Sequence, residues 1–251
     1  SPKVIDSLIG YNSYNISLDG NTFDSQYVLF KKYVKNNGLP KTIIHEINPG
    51  TLSKKGIEDE LFLFEKFLPY LQDRDIYNLL RNRKSAPNYV FNFNFSRYFG
   101  QHLLIIDGLI SFLGFDLSSP KLYKGYFPKE LNWSDEMFNK FLKQKALMSE
   151  IKFDNFFKKE FYEYINFCKM NNIELILVST PIYGISDNED FTNFYKNVAK
   201  EFDLLFLDYT DSKLFILDKS NFYDSEHLNK NASDLFSVIL TRDIQNFSKN
   251  Y

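Results

Sequence analysis

Apolar and polar positions follow two different periods along the chain, and these periods predict strands and helices in turn. Within 24–37 the apolar side chains recur every three or four residues, which is typical of an amphipathic helix. The β-branched run 41–47 (KTIIHEI) predicts a strand, and the run 14–18 predicts a shorter one that stops at the turn signal 19–21 (DGN). Strand, helix and strand in this order indicate a parallel βαβ unit.

The same alternation returns in the second half of the chain. An apolar stripe predicts a helix over about 153–170, and the nearly continuous apolar run 174–180 predicts a strand buried on both faces of a parallel sheet. A further helix, strand and final helix are predicted at 191–202, 204–209 and 230–247. The two halves together indicate an α/β fold with a mostly parallel sheet.

The segment between the two halves, 53 to about 150, has a different pattern. Helical periodicity at 57–71 and 135–151 alternates with polar-aromatic stretches, and the charge-rich run 72–84 is interpreted as solvated surface. Since no linker marks its ends, we predict a single domain over 1–251 with a large helical, aromatic-rich insertion or cap at about 53–150. Its aromatic side chains either form a wall for a sugar chain or a partner or, as we favour, belong to the core. They are Phe91, Phe93, Phe95, Tyr98, Phe99, Tyr123, Tyr126, Phe127 and Trp133.

Composition narrows the function classes. The 251 residues are 44% apolar and 25% charged, which is typical of a globular protein, and a net charge of −2 gives no basic field for nucleic acid. The single cysteine, Cys168, excludes an internal disulfide framework, and three scattered histidines predict no metal cluster. No apolar stretch reaches the ~20 residues of a spanning helix, so membrane association is expected only through an anchor upstream of Ser1.

The residues with chemical potential follow the predicted strands. Ligands of open parallel sheets bind at the carboxyl ends of the strands, where Gly20 and Asn48 are expected. Asp224 and His227 lie three residues apart in the segment that leads into the final helix. A carboxylate at this spacing can accept a hydrogen bond from one imidazole nitrogen and raise the basicity of the other. The alternative is a helix-capping Asp224 and an ordinary loop His227, with Gly20 a plain turn glycine and Asn48 the start of an Asx turn.

The order of these segments resembles the SGNH (GDSL-like) hydrolase superfamily. The block 224–229 (DSEHLN) is similar to its closing Asp-x-x-His block, while 14–37 and 40–50 (PKTIIHEINPG) are similar to its second and third blocks. The likeness covers about 1–50 and 153–247 and is nearest to the envelope-associated branch of acyl esterases and O-acetyltransferases. It implies a three-layer sandwich with a flavodoxin-like sheet.

The resemblance also implies roles for four residues. His227 would be the general base and Asp224 its orienting partner, while the backbone N–H at Gly20 and the side-chain amide of Asn48 would donate to the oxyanion. No cofactor and no metal would be needed. The substrate would be an acylated carbohydrate or another small acyl ester, and the location would be extracytoplasmic or in the cell envelope.

The chain departs from this family at the nucleophile. The family serine ends a first strand in a GDS- or GSS-like turn ahead of the second block, and no such turn occurs here; Ser17 and Ser179 are interpreted as structural. Either strand, nucleophile and any anchor precede Ser1, or the protein is a relative that has lost the nucleophile. We favour the first, because a doubly wound sheet without its central strand leaves backbone groups unpaired. The expected function is thus an SGNH-like esterase or O-acyltransferase, or else a non-catalytic binding or assembly protein of the envelope, and whether the chain is an enzyme stays open.

Overall fold

The computed structural model describes residues 1–18, 20, 22–48, 50–53, 66–82, 106, 109–110, 112–114, 123–148, 153–184 and 189–249. Within these ranges the helices are α1 (Pro2–Ile9), α2 (Phe23–Asn37), α3 (Arg74–Asn82), α4 (Asp135–Met148), α5 (Asn155–Met170), α6 (Glu189–Phe202), α7 (Lys213–Ile216) and α8 (Lys230–Lys249). The strands are β1 (Thr42–Glu46), β2 (Glu174–Ser179) and β3 (Leu205–Asp208), and short 3-10 turns occur at Leu68–Tyr70 and Lys219–Asn221.

The described strands form one parallel sheet in the order β1-β2-β3. Ile44 of β1 lies opposite Ile176 of β2, and Ile176 lies opposite Leu205 of β3. Five of the six residues of β2 are buried, as expected for a strand covered on both faces. The predicted α/β class and parallel sheet are therefore confirmed.

Helices cover both faces of the sheet, and the two-residue period of the strands decides which side chain meets which helix. Leu177 of β2 belongs to a cluster with Phe161 of α5 and Tyr195 of α6. Its neighbours Ile176 and Val178 belong to a second cluster with side chains of α7 and α8. The central strand β2 is therefore packed between two helical layers.

The first fifty residues depart from the predicted βαβ unit. The segment 12–18 has no regular secondary structure and pairs with no strand among the described residues. Asn15 N–H donates to the Lys124 carbonyl at 2.9 Å, and Ser13 N–H donates to Asp6 Oδ1 at 2.6 Å. The predicted strand 14–18 is therefore wrong, because a strand requires a hydrogen-bonded neighbour. The unpredicted helix α1 precedes it, with Pro2 in its first turn and Gly10 ending it at φ 69°.

The charge-rich run 72–84 is also more than a solvated surface. Its described part forms α3, which buries Ile76, Leu79 and Leu80 against a cluster that includes Val28 of α2. The charges lie beside this contact, since Lys32 Nζ approaches an oxygen of Asp73 at 2.5 Å. Apolar and charged positions alternate at helical spacing in this run, so its high charge content does not reveal that one face of the helix is buried.

Most of the predicted insertion at 53–150 lies outside the described residues. Among its named aromatic residues, Phe91, Phe93, Phe95, Tyr98 and Phe99 lie outside them as well. Trp133 packs on Tyr183 with ring centroids 4.8 Å apart and contacts the second cluster, as the core interpretation expects. For Tyr123 and Phe127 that interpretation is wrong, because both side chains are exposed. In the described part of the chain, no helix is both long and apolar enough to cross a bilayer.

Phe161 tests the first cluster. Its side chain is fully buried, 5.2 Å from the Phe23 ring and 5.6 Å from the Tyr195 ring. Because Phe161→Ala would leave a cavity between three helices, we expect it to lower the free energy of unfolding by about 3–5 kcal/mol in urea denaturation. Phe156→Ala on the same helix is the control, since that side chain is 53% exposed and should cost well under this amount. Equal losses would contradict this packing.

Candidate functional site

Asp224 and His227 form a hydrogen-bonded pair in the loop ahead of α8. His227 Nδ1 lies 2.8 Å from Asp224 Oδ1 and 2.9 Å from Oδ2. The same Oδ1 accepts the backbone N–H groups of Glu226 and His227, each at 2.9 Å. Tyr223 N–H closes the loop by donating to the His227 carbonyl at 3.1 Å. A carboxylate at the first position of this loop therefore fixes both its backbone and the imidazole.

The helix-capping alternative for Asp224 does not hold. Asn229 occupies the capping position, because its Oδ1 accepts the Ala232 N–H at 3.1 Å and α8 begins at the next residue, Lys230. Asn229 also donates from Nδ2 to the Ser220 carbonyl at 2.5 Å, which ties the helix start to the preceding 3-10 turn. Asp224 is thus left for the loop and for His227.

The imidazole ring is held flat and remains accessible. Tyr223 stacks on His227 with an interplanar angle of 8° and ring centroids 5.2 Å apart. Tyr223 itself is buried, whereas 54% of the His227 side chain is exposed. With Nδ1–H donated to Asp224, a neutral imidazole carries its lone pair on Nε2. This nitrogen has no hydrogen-bond partner among the described residues, so it is free to act as a base.

The charges around His227 strengthen it as a base. Burial opposes protonation of the ring, but the hydrogen bond to Asp224 and the charges of Asp224 and Glu226 outweigh it and raise the pKa of His227. Burial acts against the Asp224 carboxylate too, yet its hydrogen bonds with His227 keep the pKa of Asp224 below the ordinary value. Asp224 therefore stays ionised while His227 exchanges its proton.

Asn48 begins the turn that follows β1. Its Oδ1 accepts the Gly50 N–H at 2.9 Å, and its own N–H donates to Thr51 Oγ1 at 3.0 Å, so the Asx turn of the alternative interpretation is present. The turn uses only the oxygen of the Asn48 side-chain amide, so the amide nitrogen is not part of it. Nδ2 faces the carboxylate of Glu46, with N···O distances of 3.4 and 3.5 Å.

Gly20 lies next to this turn. The Phe23 N–H donates to the Thr51 carbonyl at 3.0 Å, which joins the loop ahead of α2 to the loop after β1. Gly20 has φ 70°, a left-handed conformation that favours glycine, so the predicted turn glycine is required by the backbone.

All the predicted site residues lie at the carboxyl edge of the sheet. The Tyr183 N–H after β2 donates to the Ser225 carbonyl at 2.8 Å, which joins that loop to the Asp224–His227 loop. The charge of His227 acts on the Glu46 carboxyl, which is next to Asn48. A cavity of about 2350 Å³ is lined by Gly20, Asn48, Thr180, Glu226 and His227, among others. Dispersed positions are thus brought to one edge, as the parallel strand order requires.

The structure adds two carboxylates that sequence reasoning missed. Burial raises the pKa of the Glu46 carboxyl, while the hydrogen bond from the Asn48 amide and the charge of His227 act to lower it. Burial and the Asp224 charge raise the pKa of Glu226. Glu46 could have been found from the strand period, because it lies two residues before Asn48 and therefore on the same side. Glu226 carries no such signal.

Neither candidate serine contacts the imidazole. Ser179 is buried at the end of β2, where its carbonyl accepts the Tyr209 N–H at 3.0 Å, and Ser17 donates from its hydroxyl to Asn15. Both positions agree with the structural roles predicted for them. Among the described residues, no group of three or more His, Cys, Asp or Glu side chains is arranged to hold a metal ion.

Comparison with known proteins gives no match: no family model, no curated protein and no solved structure matches this chain. Function is therefore inferred from the residues of the site and their contacts.

Titration of the histidines tests the site electrostatics. We expect NMR of the ring C–H signals to give His227 a pKa above 6.5 and to give His45, which burial disfavours as a cation, a pKa of about 4. Asp224→Asn removes the negative charge that favours imidazolium, so the pKa of His227 should fall while that of His45 stays unchanged. An unchanged His227 titration in Asp224→Asn would contradict the pair.

Proposed function

We propose that this chain is an SGNH-like esterase or O-acyltransferase that acts on an acylated carbohydrate or another acylated component of the cell envelope. The observation that carries the proposal is the hydrogen bond of 2.8 Å between His227 Nδ1 and an Asp224 carboxylate whose pKa is lowered. This pair lies at the same sheet edge as the Asn48 amide. The nucleophilic serine is proposed to lie outside residues 1–251.

The proposed mechanism assigns one step to each group. His227 Nε2 removes the proton of the serine hydroxyl as its oxygen attacks the acyl carbonyl, and Asp224 stabilises the resulting imidazolium. The Gly20 N–H and Asn48 Nδ2 donate to the oxyanion of the tetrahedral intermediate, where losing one donor costs about 3–4 kcal/mol. His227 then protonates the leaving alkoxide. Water or a sugar hydroxyl takes the acyl group from the serine in the second half of the cycle.

The fold part of the proposal is a flavodoxin-like three-layer sandwich, with the sheet extended beyond β1 and the insertion at 53–150 beside it. The parallel order β1-β2-β3 and the helices on both faces support this arrangement. An extracytoplasmic or envelope location belongs to the same proposal and follows from the resemblance alone.

A non-catalytic binding or assembly protein of the envelope is the second candidate, and one contact favours it. The Glu46 carboxylate lies 3.4 Å from Asn48 Nδ2, where a negative charge would repel an oxyanion. Burial raises the pKa of Glu46 and so disfavours that negative charge. Activity measurements distinguish the two candidates.

The first activity test uses the full-length protein with p-nitrophenyl acetate. We expect His227→Ala and Asp224→Asn to lower kcat/KM about 10²–10⁴-fold, since both remove general-base catalysis. Asp218→Asn is the matched control, because Asp218 caps the Lys219–Asn221 turn upstream of the same loop and does not contact His227. Hydrolysis that is equally fast in all four proteins, or absent in the wild type, would favour the non-catalytic candidate.

The second activity test addresses the Asn48 amide. Asn48→Asp keeps an oxygen for the Gly50 N–H and removes the Nδ2 donor, so we expect kcat to fall about 10²–10³-fold without unfolding. In the double variant with Glu46→Gln, positions 46 and 48 again carry one carboxylate between them, as in the wild type. A lower kcat in the double variant then cannot result from an added negative charge. Thermal unfolding of each variant checks that the turn persists. Full activity in the double variant would remove Asn48 from the oxyanion site.

A further inference from the structure

Part of the predicted insertion lies against the candidate site. Residues 123–133, named here the 123–133 segment, precede α4 and contact the first turns of α8. The Tyr126 hydroxyl lies 3.0 Å from Ser233 Oγ, and the Lys129 carbonyl accepts the Lys230 N–H at 3.2 Å. Because α8 begins directly after the loop that carries the candidate base, these contacts hold the 123–133 segment beside that loop.

The same segment also contacts the chain that supports the loop itself, through Trp133. The Trp133 ring packs on the Tyr183 ring with centroids 4.8 Å apart, and Tyr183 packs on Phe222 at 5.7 Å. The Tyr183 N–H donates to the Ser225 carbonyl inside the loop at 2.8 Å. The 123–133 segment is therefore connected both to the loop of the base and to the helix that follows it.

Lys129 places an ammonium group of this segment over the aromatic ring of the site. Its Nζ lies 5.2 Å from the centroid of the Tyr223 ring, within the ~6 Å range of a cation–π interaction. His227 stacks on the same ring, with centroids 5.2 Å apart. Lys129 and His227 also line the same cavity. One buried ring thus contacts both the ammonium group and the imidazole.

Charged side chains from several elements act on the His227 imidazole. Asp224 and Glu226 belong to its own loop, Glu46 ends β1, and Lys129 comes from the insertion. The carboxylates favour the imidazolium form, whereas the charge of Lys129 acts to lower the pKa of His227. A base surrounded by carboxylates alone would stay protonated to higher pH, and a protonated imidazole cannot accept a proton.

We propose that Lys129 is a positioning residue of the candidate site, which holds the Tyr223–His227 stack and sets a positive charge against the carboxylates around the imidazole. The ammonium group stabilises the stack through the electron-rich face of the Tyr223 ring. Its charge favours the neutral imidazole, whose Nε2 can accept a proton. The catalytic meaning of this role rests on the proposed function, but the arrangement of charges is testable without any activity.

The first measurement is the NMR titration of His227 in Lys129 variants. Lys129→Met keeps the apolar stem and Lys129→Gln keeps a polar end; both remove the charge, so the pKa of His227 should rise. Lys129→Arg keeps the charge and can stack on an aromatic ring, so it should retain the wild-type titration. Lys219→Met is the matched control and should change nothing. Lys219 Nζ also lies over an aromatic ring, 5.8 Å from the Trp133 centroid, but pairs with Asp135 at 3.3 Å.

The second measurement is the pH dependence of p-nitrophenyl acetate hydrolysis. General-base catalysis requires neutral His227, so the acid limb of kcat/KM should move to higher pH in Lys129→Met. On that limb we expect a loss of about 2–5-fold, with little loss at higher pH, and Lys129→Arg should restore the wild-type profile. A purely structural role would instead lower kcat/KM at every pH and leave the His227 titration unchanged.

Any of four results would overturn the proposal. His227 titrates alike in the wild type and in both neutral variants; Lys129→Arg changes the titration as much as they do; Lys219→Met changes it equally; or KM alone rises while the titration stays the same, which would assign Lys129 to substrate binding. If the pKa of His227 rises in the neutral variants but no protein hydrolyses the ester, Lys129 keeps this role towards the imidazole and only the proposed function fails.

Discussion

The parallel pairing of β1 with β2 is the constraint on which the site depends. Register brings Glu46 opposite Val178, so the loops that follow the two strands leave the sheet at one level. The Asn48 turn and the loop that holds Ser225 through Tyr183 are thereby neighbours, although they are far apart in sequence. Loss of this ladder would separate the amide from the imidazole even if each loop kept its own hydrogen bonds.

Much of the fold was predictable because its signals are local. The helix α2 follows from its apolar period, the strand β2 from its nearly continuous apolar run and the strand β1 from its β-branched residues. The strand expected at 14–18 failed for the opposite reason: its alternating pattern is real, but a strand forms only where a neighbour supplies hydrogen bonds. The pairing of Asp224 with His227 was predictable from spacing, and the strand period places Glu46 on the same side as Asn48. The approach of Glu46 to the His227 loop was not predictable, because it depends on how two distant loops meet.

Three acidic side chains affect the proposed base and the proposed oxyanion donor in opposite ways. Asp224 and Glu226 raise the pKa of His227, which makes it a stronger base but keeps it protonated to higher pH. Glu46 lies against the amide that would have to stabilise a developing negative charge. Burial raises the pKa values of Glu46 and Glu226, so it opposes the build-up of negative charge beside the Asn48 amide and the imidazole.

The open edge of β1 lies next to the candidate site, because β1 ends at Glu46 and Asn48 follows two residues later. The edge of β1 opposite β2 has no strand beside it in the described part of the chain, and folded proteins ordinarily cover or pair such an edge. Glu46 is the last residue of β1 and its carboxyl lies beside the Asn48 amide and within the influence of the His227 charge, so this edge of the sheet and the charge balance of the site meet at one residue.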